Sequence, residues 1–193
     1  STGTTTITYT NSNGCQNSVD VVVNPLPTVV GLSNICIGST TQLTGSPIAA
    51  ILNPWVSSDG SVVTITNSGL VTSITTGTTS IIYTNTFGCE KIVSITVDPL
   101  PTITGTLNAC VGLTTQLSGT GSPAAVNPWV SSNPLVATIN NSGLVTGVSA
   151  GTTTITYTNS NGCQITATIT INGLPAITGT LNACVGLTTQ LSG

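Results

Sequence analysis

Six cysteines are the residues of this sequence with the most chemistry to offer: Cys15, Cys36, Cys89, Cys110, Cys163 and Cys184. They form two interleaved series, each advancing by 74 residues: Cys15, Cys89, Cys163 and Cys36, Cys110, Cys184. A thiol can serve as a nucleophile, a metal ligand or half of a disulfide. The first use needs a base, and the sequence has no His and a single basic side chain, Lys91, present in only one copy. Zinc needs closely spaced cysteine pairs, whereas the shortest spacing here is 21 residues. What remains is a disulfide framework formed outside a reducing cytosol. Six cysteines allow fifteen pairings.

The rest of the composition removes further chemistry. The charged residues are Asp20, Asp59, Glu90, Asp98 and Lys91. One cation cannot track a phosphate backbone, so no nucleic-acid partner is expected. Carboxylates are not paired at repeat positions, and Ser and Thr lack an imidazole to activate them. No catalysis and no cofactor are expected. A calcium-stiffened linker needs clustered carboxylates; Asp98 stands alone, and its counterparts are Asn24 and Asn172. No metal is expected. No run approaches the roughly 18 apolar residues of a membrane span. No basic region followed by an apolar run opens the chain, so a signal peptide is not visible and residue 1 is not expected to be the native start.

The elements that must position the cysteines follow the same period. Tyr9, Tyr83 and Tyr157 keep it, as do Trp55 and Trp129, without an insertion. The linkers NPLP at 24–27, DPLP at 98–101 and NGLP at 172–175 interrupt apolar strands with proline and set the phase. The predicted organisation is the C-terminal part of a preceding repeat at 1–24, whole repeats at 25–98 and 99–172, and the N-terminal part of a following one at 173–193. The segment NACVGLTTQLSG at 108–119 returns at 182–193, so the chain reads as a length cut from a longer repeat protein.

Val, Ile, Leu, Thr and Tyr, punctuated by Gly, Asn, Ser and Pro, predict an all-β fold. In the second repeat seven strands are expected, A to G: 101–109, 113–118, 127–131, 135–139, 144–148, 152–158 and 163–171. Strand F shows the alternation best, with Thr153, Ile155 and Tyr157 on one face and Thr152, Thr154, Thr156 and Thr158 on the other. Seven short strands with regular turns predict tandem Ig-like β-sandwiches of about 74 residues. Trp55 and Trp129 fall on strand C and, with Tyr83 and Tyr157, are expected in the core. The run GTTTITYT at 151–158 invites an ice-binding reading. With one such strand per repeat, successive ladders would lie a whole domain apart, roughly 30–40 Å, so the threonines are read as a wet strand face.

The stretch NPWVSSNPLVATINNSGLVTGVSAGTTTITYTNSNGC at 127–163 resembles the bacterial Ig-like group 2 domain. The matching positions are Trp129 to Ser132, Val136 to Thr138, Gly143 to Gly147 and Ala150 to Ile155. The first repeat matches less closely. The near-identical copies and the TNSNGC ending are also similar to the repeats of giant surface adhesins of gliding bacteria. These resemblances imply an extracellular, cell-surface location and no catalysis.

Strand direction narrows the cysteine pairings. Cys110 precedes the A–B turn and Cys163 follows the F–G turn, which should put them at opposite poles of one domain. Domains in series bring the end of one to the start of the next. A bridge between Cys36 and Cys163 would then staple neighbouring repeats, leaving Cys15 and Cys89 to partners upstream and Cys110 and Cys184 to partners downstream. The alternative is a within-repeat pair with another strand order. The resulting expectation is a stalk or filament body of a bacterial surface adhesin. Its partners are neighbouring repeats of the same chain and other copies in a filament. In the alternative reading each repeat is itself a glycan- or protein-binding module.

Overall fold

The computed structural model describes residues 2–193, and no helix occurs among them. The chain divides into two compact units, one reaching Pro99 and the other covering Leu100–Gly193.

The first unit opens with a hairpin of β1 (Gly3–Thr10) and β2 (Gln16–Val23). Then come β3 (Thr28–Val30), β4 (Asn34–Cys36), β5 (Thr40–Gln42) and β6 (Thr44–Ser46). They are followed by β7 (Trp55–Ser57), β8 (Val63–Ile65), β9 (Leu70–Ser73), β10 (Gly77–Thr84) and β11 (Glu90–Asp98). One sheet runs β4-β11-β10-β7; β5-β9-β8 and β3-β6 form the strands of the opposing layer. The second unit holds β12 (Ile103–Gly105), β13 (Asn108–Cys110), β14 (Thr114–Gly119) and β15 (Trp129–Ser131). Next are β16 (Ala137–Ile139), β17 (Leu144–Gly147), β18 (Gly151–Thr158) and β19 (Gln164–Asn172), and a short pair, β20 (Thr178–Gly179) and β21 (Leu191–Ser192). Its sheets run β12-β14-β17-β16 and β13-β19-β18-β15.

The structure is all-β, as the sequence predicts, and one expected strand is divided. Strand A at 101–109 is two strands on different sheets. Its first part, β12, pairs antiparallel with β14, and its second, β13, pairs parallel with β19. The break falls at Gly105, whose φ is +122°. A side chain there would start 2.4 Å from the Gln116 carbonyl oxygen and 3.0 Å from Leu117. Only glycine lets the backbone turn and pass that close. Crossing from one sheet to the other lets a short segment close both edges of the sandwich.

Alternation fills the core. Leu117, Ala137 and Val145 come from one sheet and Trp129, Ile155, Tyr157, Ile169 and Ile171 from the other. The first unit uses the corresponding Leu43, Val63, Val71, Trp55, Ile81, Tyr83, Ile95 and Val97. Trp55 and Trp129 are each 6% exposed, Tyr83 1% and Tyr157 2%. In both units the Trp and Tyr rings sit on paired strands with centroids 4.5 Å apart, at tilts of 43° and 40°. Each Tyr ring lies flat over a glycine: a Cβ on Gly45 or Gly119 would come 2.3 Å from Tyr83 or Tyr157. The hydroxyls donate onward, from Tyr83 to the Pro47 carbonyl and from Tyr157 to the Gly121 carbonyl. The β1–β2 hairpin has the same sequence pattern but no opposing sheet, and Tyr9 is 71% exposed. The residue type therefore does not decide burial here; the facing layer does.

Two substitutions test this packing. Trp129→Ala should cost its unit about 3–5 kcal/mol through lost contacts and the cavity left behind. Gly119→Ala, which forces Tyr157 off its seat, should cost about 1–3 kcal/mol. Denaturant melts of the two variants against the parent read both values, and a near-neutral Trp129→Ala would mean that the ring is not a packing element.

Candidate functional site: the repeat cysteines

Each series of cysteines has its own local frame. Cys15, Cys89 and Cys163 each close a tight turn between two long strands. The turn is built by an asparagine four residues earlier. Asn159 accepts with Oδ1 from the backbone N–H groups of Asn161 (3.1 Å) and Cys163 (2.9 Å). Its own N–H donates to the Cys163 carbonyl at 3.0 Å. Asn85 does the same for Phe87 and Cys89, and Asn11 for Asn13 and Cys15. A glycine with φ near +80° precedes each of the three cysteines. These asparagines escaped the reading from residue chemistry, because an amide has no reactivity to flag. The signal was the repeated spacing Asn-x-x-x-Cys in TNSNGC and TNTFGC.

Two members of the other series, Cys36 and Cys110, sit at the end of the short parallel strands. Cys36 pairs with Asp98 at the last position of β11, and Cys110 with Asn172 at the last position of β19. Ser39 donates to the Cys36 carbonyl from its hydroxyl at 2.7 Å and its N–H at 3.0 Å, and Ser73 adds a third donor at 3.1 Å. Asp98 also holds this end, accepting from the Ile37 N–H at 2.9 Å. Its Oδ2 is occluded and has no hydrogen-bond partner among the described residues.

These registers fix a distance. Cys89 and Cys163 immediately precede β11 and β19, while Cys36 and Cys110 lie level with their final residues. A strand of nine residues separates the two positions, roughly 30 Å at about 3.3 Å per residue. A disulfide needs Cα atoms within about 7 Å. Neither Cys36 with Cys89 nor Cys110 with Cys163 can therefore be joined within its own unit. Cys36 and Cys163 are both disulfide-bonded, and Cys163 is completely buried. Cys15, Cys89, Cys110 and Cys184 carry free thiols, the first and last exposed. Among the described residues no group of three or more His, Cys, Asp or Glu is placed to hold a metal ion.

Two ionisable groups are displaced. Hydrogen bonds from the Ser61 hydroxyl and then its N–H hold the exposed Asp59 carboxyl below its ordinary value. Burial pushes the Tyr83 phenol above its ordinary value of 10.0. A shallow cleft recurs beside the aromatic pair of each unit. The one at Trp129 and Tyr157, rimmed by Asn141 and Ser142, has a volume of about 250 Å³. The one at Trp55 and Tyr83, rimmed by Asn67 and Ser68, has about 200 Å³.

Together the two-layered units, their sheet-switching first strand and their aromatic core define an Ig-like β-sandwich. Residues 94–171 match the bacterial Ig-like domain (group 2) family, in the region of the sequence resemblance. Three solved structures are similar over part of their length. Invasin, described as a bacterial integrin-binding protein, aligns with 93% of this chain and 47% of its own at 14% identity, TM-score 0.48. An intimin mutant of EHEC O157:H7 aligns with 42% of this chain and 50% of its own at 18% identity, TM-score 0.32. Domains 1–6 of the surface-layer protein SbsC align with 93% of this chain and 37% of their own at 16% identity, TM-score 0.37. The chain thus spans half or less of each. No curated protein matches it.

The buried Tyr83 phenol makes the stability of the first unit depend on pH. Its pKa is raised by folding, so its contribution to stability is complete below the unfolded value near 10.0 and is lost as pH rises through the higher folded value. Alkaline titration followed by tyrosinate absorbance should show Tyr83 ionising above the ordinary value of 10.0, together with loss of first-unit structure. Tyr83→Phe should remove that step; its persistence would assign it to another group.

Proposed function

We propose that this chain is a structural segment, the stalk or filament body, of a large extracellular bacterial surface adhesin. Its repeats, about 25–98 and 99–172 with partial copies at 1–24 and 173–193, would be stapled in series by disulfides. One observation carries the reading: the two cysteines of each repeat lie at opposite ends of one long strand, too far apart to bridge. Cysteines placed at both poles of a unit serve links between units better than links within one. The bridge we assign is Cys36–Cys163, and its support is that these two are the cysteines without free thiols. Cys15 and Cys89 would pair with preceding repeats, and Cys110 and Cys184 with following ones. A bridge enclosing more than a hundred residues contributes about 4–5 kcal/mol in the chain-entropy account. It also limits hinging between repeats, which suits a stiff stalk. Near-neutral surfaces make contacts between copies in a filament insensitive to salt. The family match supports a surface location.

The second reading, that each repeat grips a glycan or a protein, draws on the recurring clefts beside Trp55 and Trp129. It is disfavoured because both rings are 6% exposed and offer no open face for stacking.

Peptide mapping of the unreduced protein tests the staple. A cross-linked peptide joining Cys36 to Cys163, with Cys15, Cys89, Cys110 and Cys184 open to alkylation, is the expected result. Peptides joining Cys36 to Cys89 and Cys110 to Cys163 would return each bridge to its own repeat and remove the basis for the stalk. Melting with and without a chelator should coincide; a large loss of stability on chelation would point to metal-held repeats instead.

A further inference from the structure

The threonine face of the second unit is wider than a single strand. β18 turns Thr152, Thr154 and Thr156 outward, and β19 sets Thr170, Thr168 and Thr166 directly opposite them. The reading from sequence counted one ladder per repeat and missed the second, because ITATIT does not look like GTTTITYT until the strands are in register. The result is a patch of two columns and three rows. Columns in a sheet are about 4.8 Å apart and alternate residues about 6.7 Å apart.

Three features set this patch apart from the same position elsewhere in the chain. None of its six hydroxyls has a protein hydrogen-bond partner among the described residues, whereas Thr78 bonds Thr96 at 3.1 Å in the first unit. In the β1–β2 hairpin, Thr6 is bonded to Asp20 and Thr8 to Ser18. The composition of the rows also differs. The first unit has Thr78 with Thr96, Ser80 with Ser94 and Ile82 with Ile92, and the hairpin has Thr4 with Val22. Finally, all five charged residues precede residue 99, so the second unit has none. Ionic side chains orient water around themselves; this face has nothing that competes with a lattice imposed by its own spacing.

Each threonine offers a methyl and a hydroxyl, both held by the stiff β-branched rotamer. A two-column patch spans a single interstrand step of the sheet twist, about 20–25°, and so departs from a plane less than a broad sheet does. Thr152, Thr166, Thr168 and Thr170 are exposed, and Thr154 and Thr156 half-buried between neighbours. We propose that this face is a binding site for ordered water: the six hydroxyls and methyls template a hydration layer that merges with the surface of ice. The occupant is a crystalline water lattice, not a soluble ligand. The idea stands apart from the stalk reading and uses none of the cysteines.

The test uses the whole chain. Ice-recrystallisation inhibition and adsorption of the fluorescently labelled protein to a growing ice crystal are measured for the parent, Thr168→Tyr, Thr154→Val and Thr96→Tyr. Parent activity is expected, with loss in Thr168→Tyr and retention in Thr96→Tyr, which puts the same bulky ring on the outward face of the first unit, at the counterpart of Thr170. Thr154→Val keeps the shape and removes one hydroxyl, so a reduced but measurable activity is expected in a protein that still melts like the parent. An inactive parent overturns the proposal. So does full activity in Thr168→Tyr, equal loss in Thr96→Tyr, or adsorption to crystalline cellulose or chitin in place of ice.

Discussion

The antiparallel ladder between β10 and β11, and its counterpart between β18 and β19, is the constraint on which the rest of each unit hangs. It runs for eight consecutive residue pairs, a length that among the described residues only the β1–β2 hairpin equals; the other pairings have two or three. Its period of two divides every residue between inside and outside. The inward half supplies Ile81, Tyr83, Ile95 and Val97, or Ile155, Tyr157, Ile169 and Ile171, to the core. The outward half is mostly Thr and Ser, with Ile82 and Ile92 the apolar exception in the first unit. The ladder's outer edges then take one strand each: β7 or β15 on one side, antiparallel, and β4 or β13 on the other, parallel. A slip of one residue would exchange the faces. It would also move the Tyr ring off its glycine seat.

The same ladder sets where sulfur can go. Its turn holds one cysteine through the amide of Asn85 or Asn159, and its far end holds the other through the parallel strand. Strand length, not thiol reactivity, therefore decides which bridges are possible. The hairpin of β1 and β2 shows the ladder alone. It keeps its pairing, its turn and its Asn11 but has no layer to cover Ile7 and Tyr9.

The two units vary around this frame in compensating ways. Where the first has Ser73, whose hydroxyl bonds two carbonyls, the second has Gly147, and a Cβ there would come 2.7 Å from the Cys110 carbonyl oxygen and 3.0 Å from Ile171. The larger Ile171, in place of Val97, takes the room. The glutamine that bonds across to the next turn is kept, Gln42 to the Ser68 carbonyl and Gln116 to the Ser142 carbonyl, both at 2.7 Å. Volume is traded between neighbours, while a polar contact that depends on direction stays as it is.

Much of this was legible from sequence alone. The strand-forming composition, the alternation in GTTTITYT and the proline-marked breaks determined an all-β fold, because strand periodicity and proline act locally. Tertiary structure decided the rest. Strand A at 101–109 is continuous in apolar pattern, and only the approach of Gln116 and Leu117 to Gly105 reveals why it must break and change sheets. Strand direction already set Cys110 and Cys163 at opposite poles, but the length of their separation needed the parallel register of Cys110 with Asn172, which no local pattern encodes. The second threonine column emerged only when Thr166, Thr168 and Thr170 were set beside β18. Those three features are non-local: each depends on which strands become neighbours, and that choice is made by the packing of whole sheets.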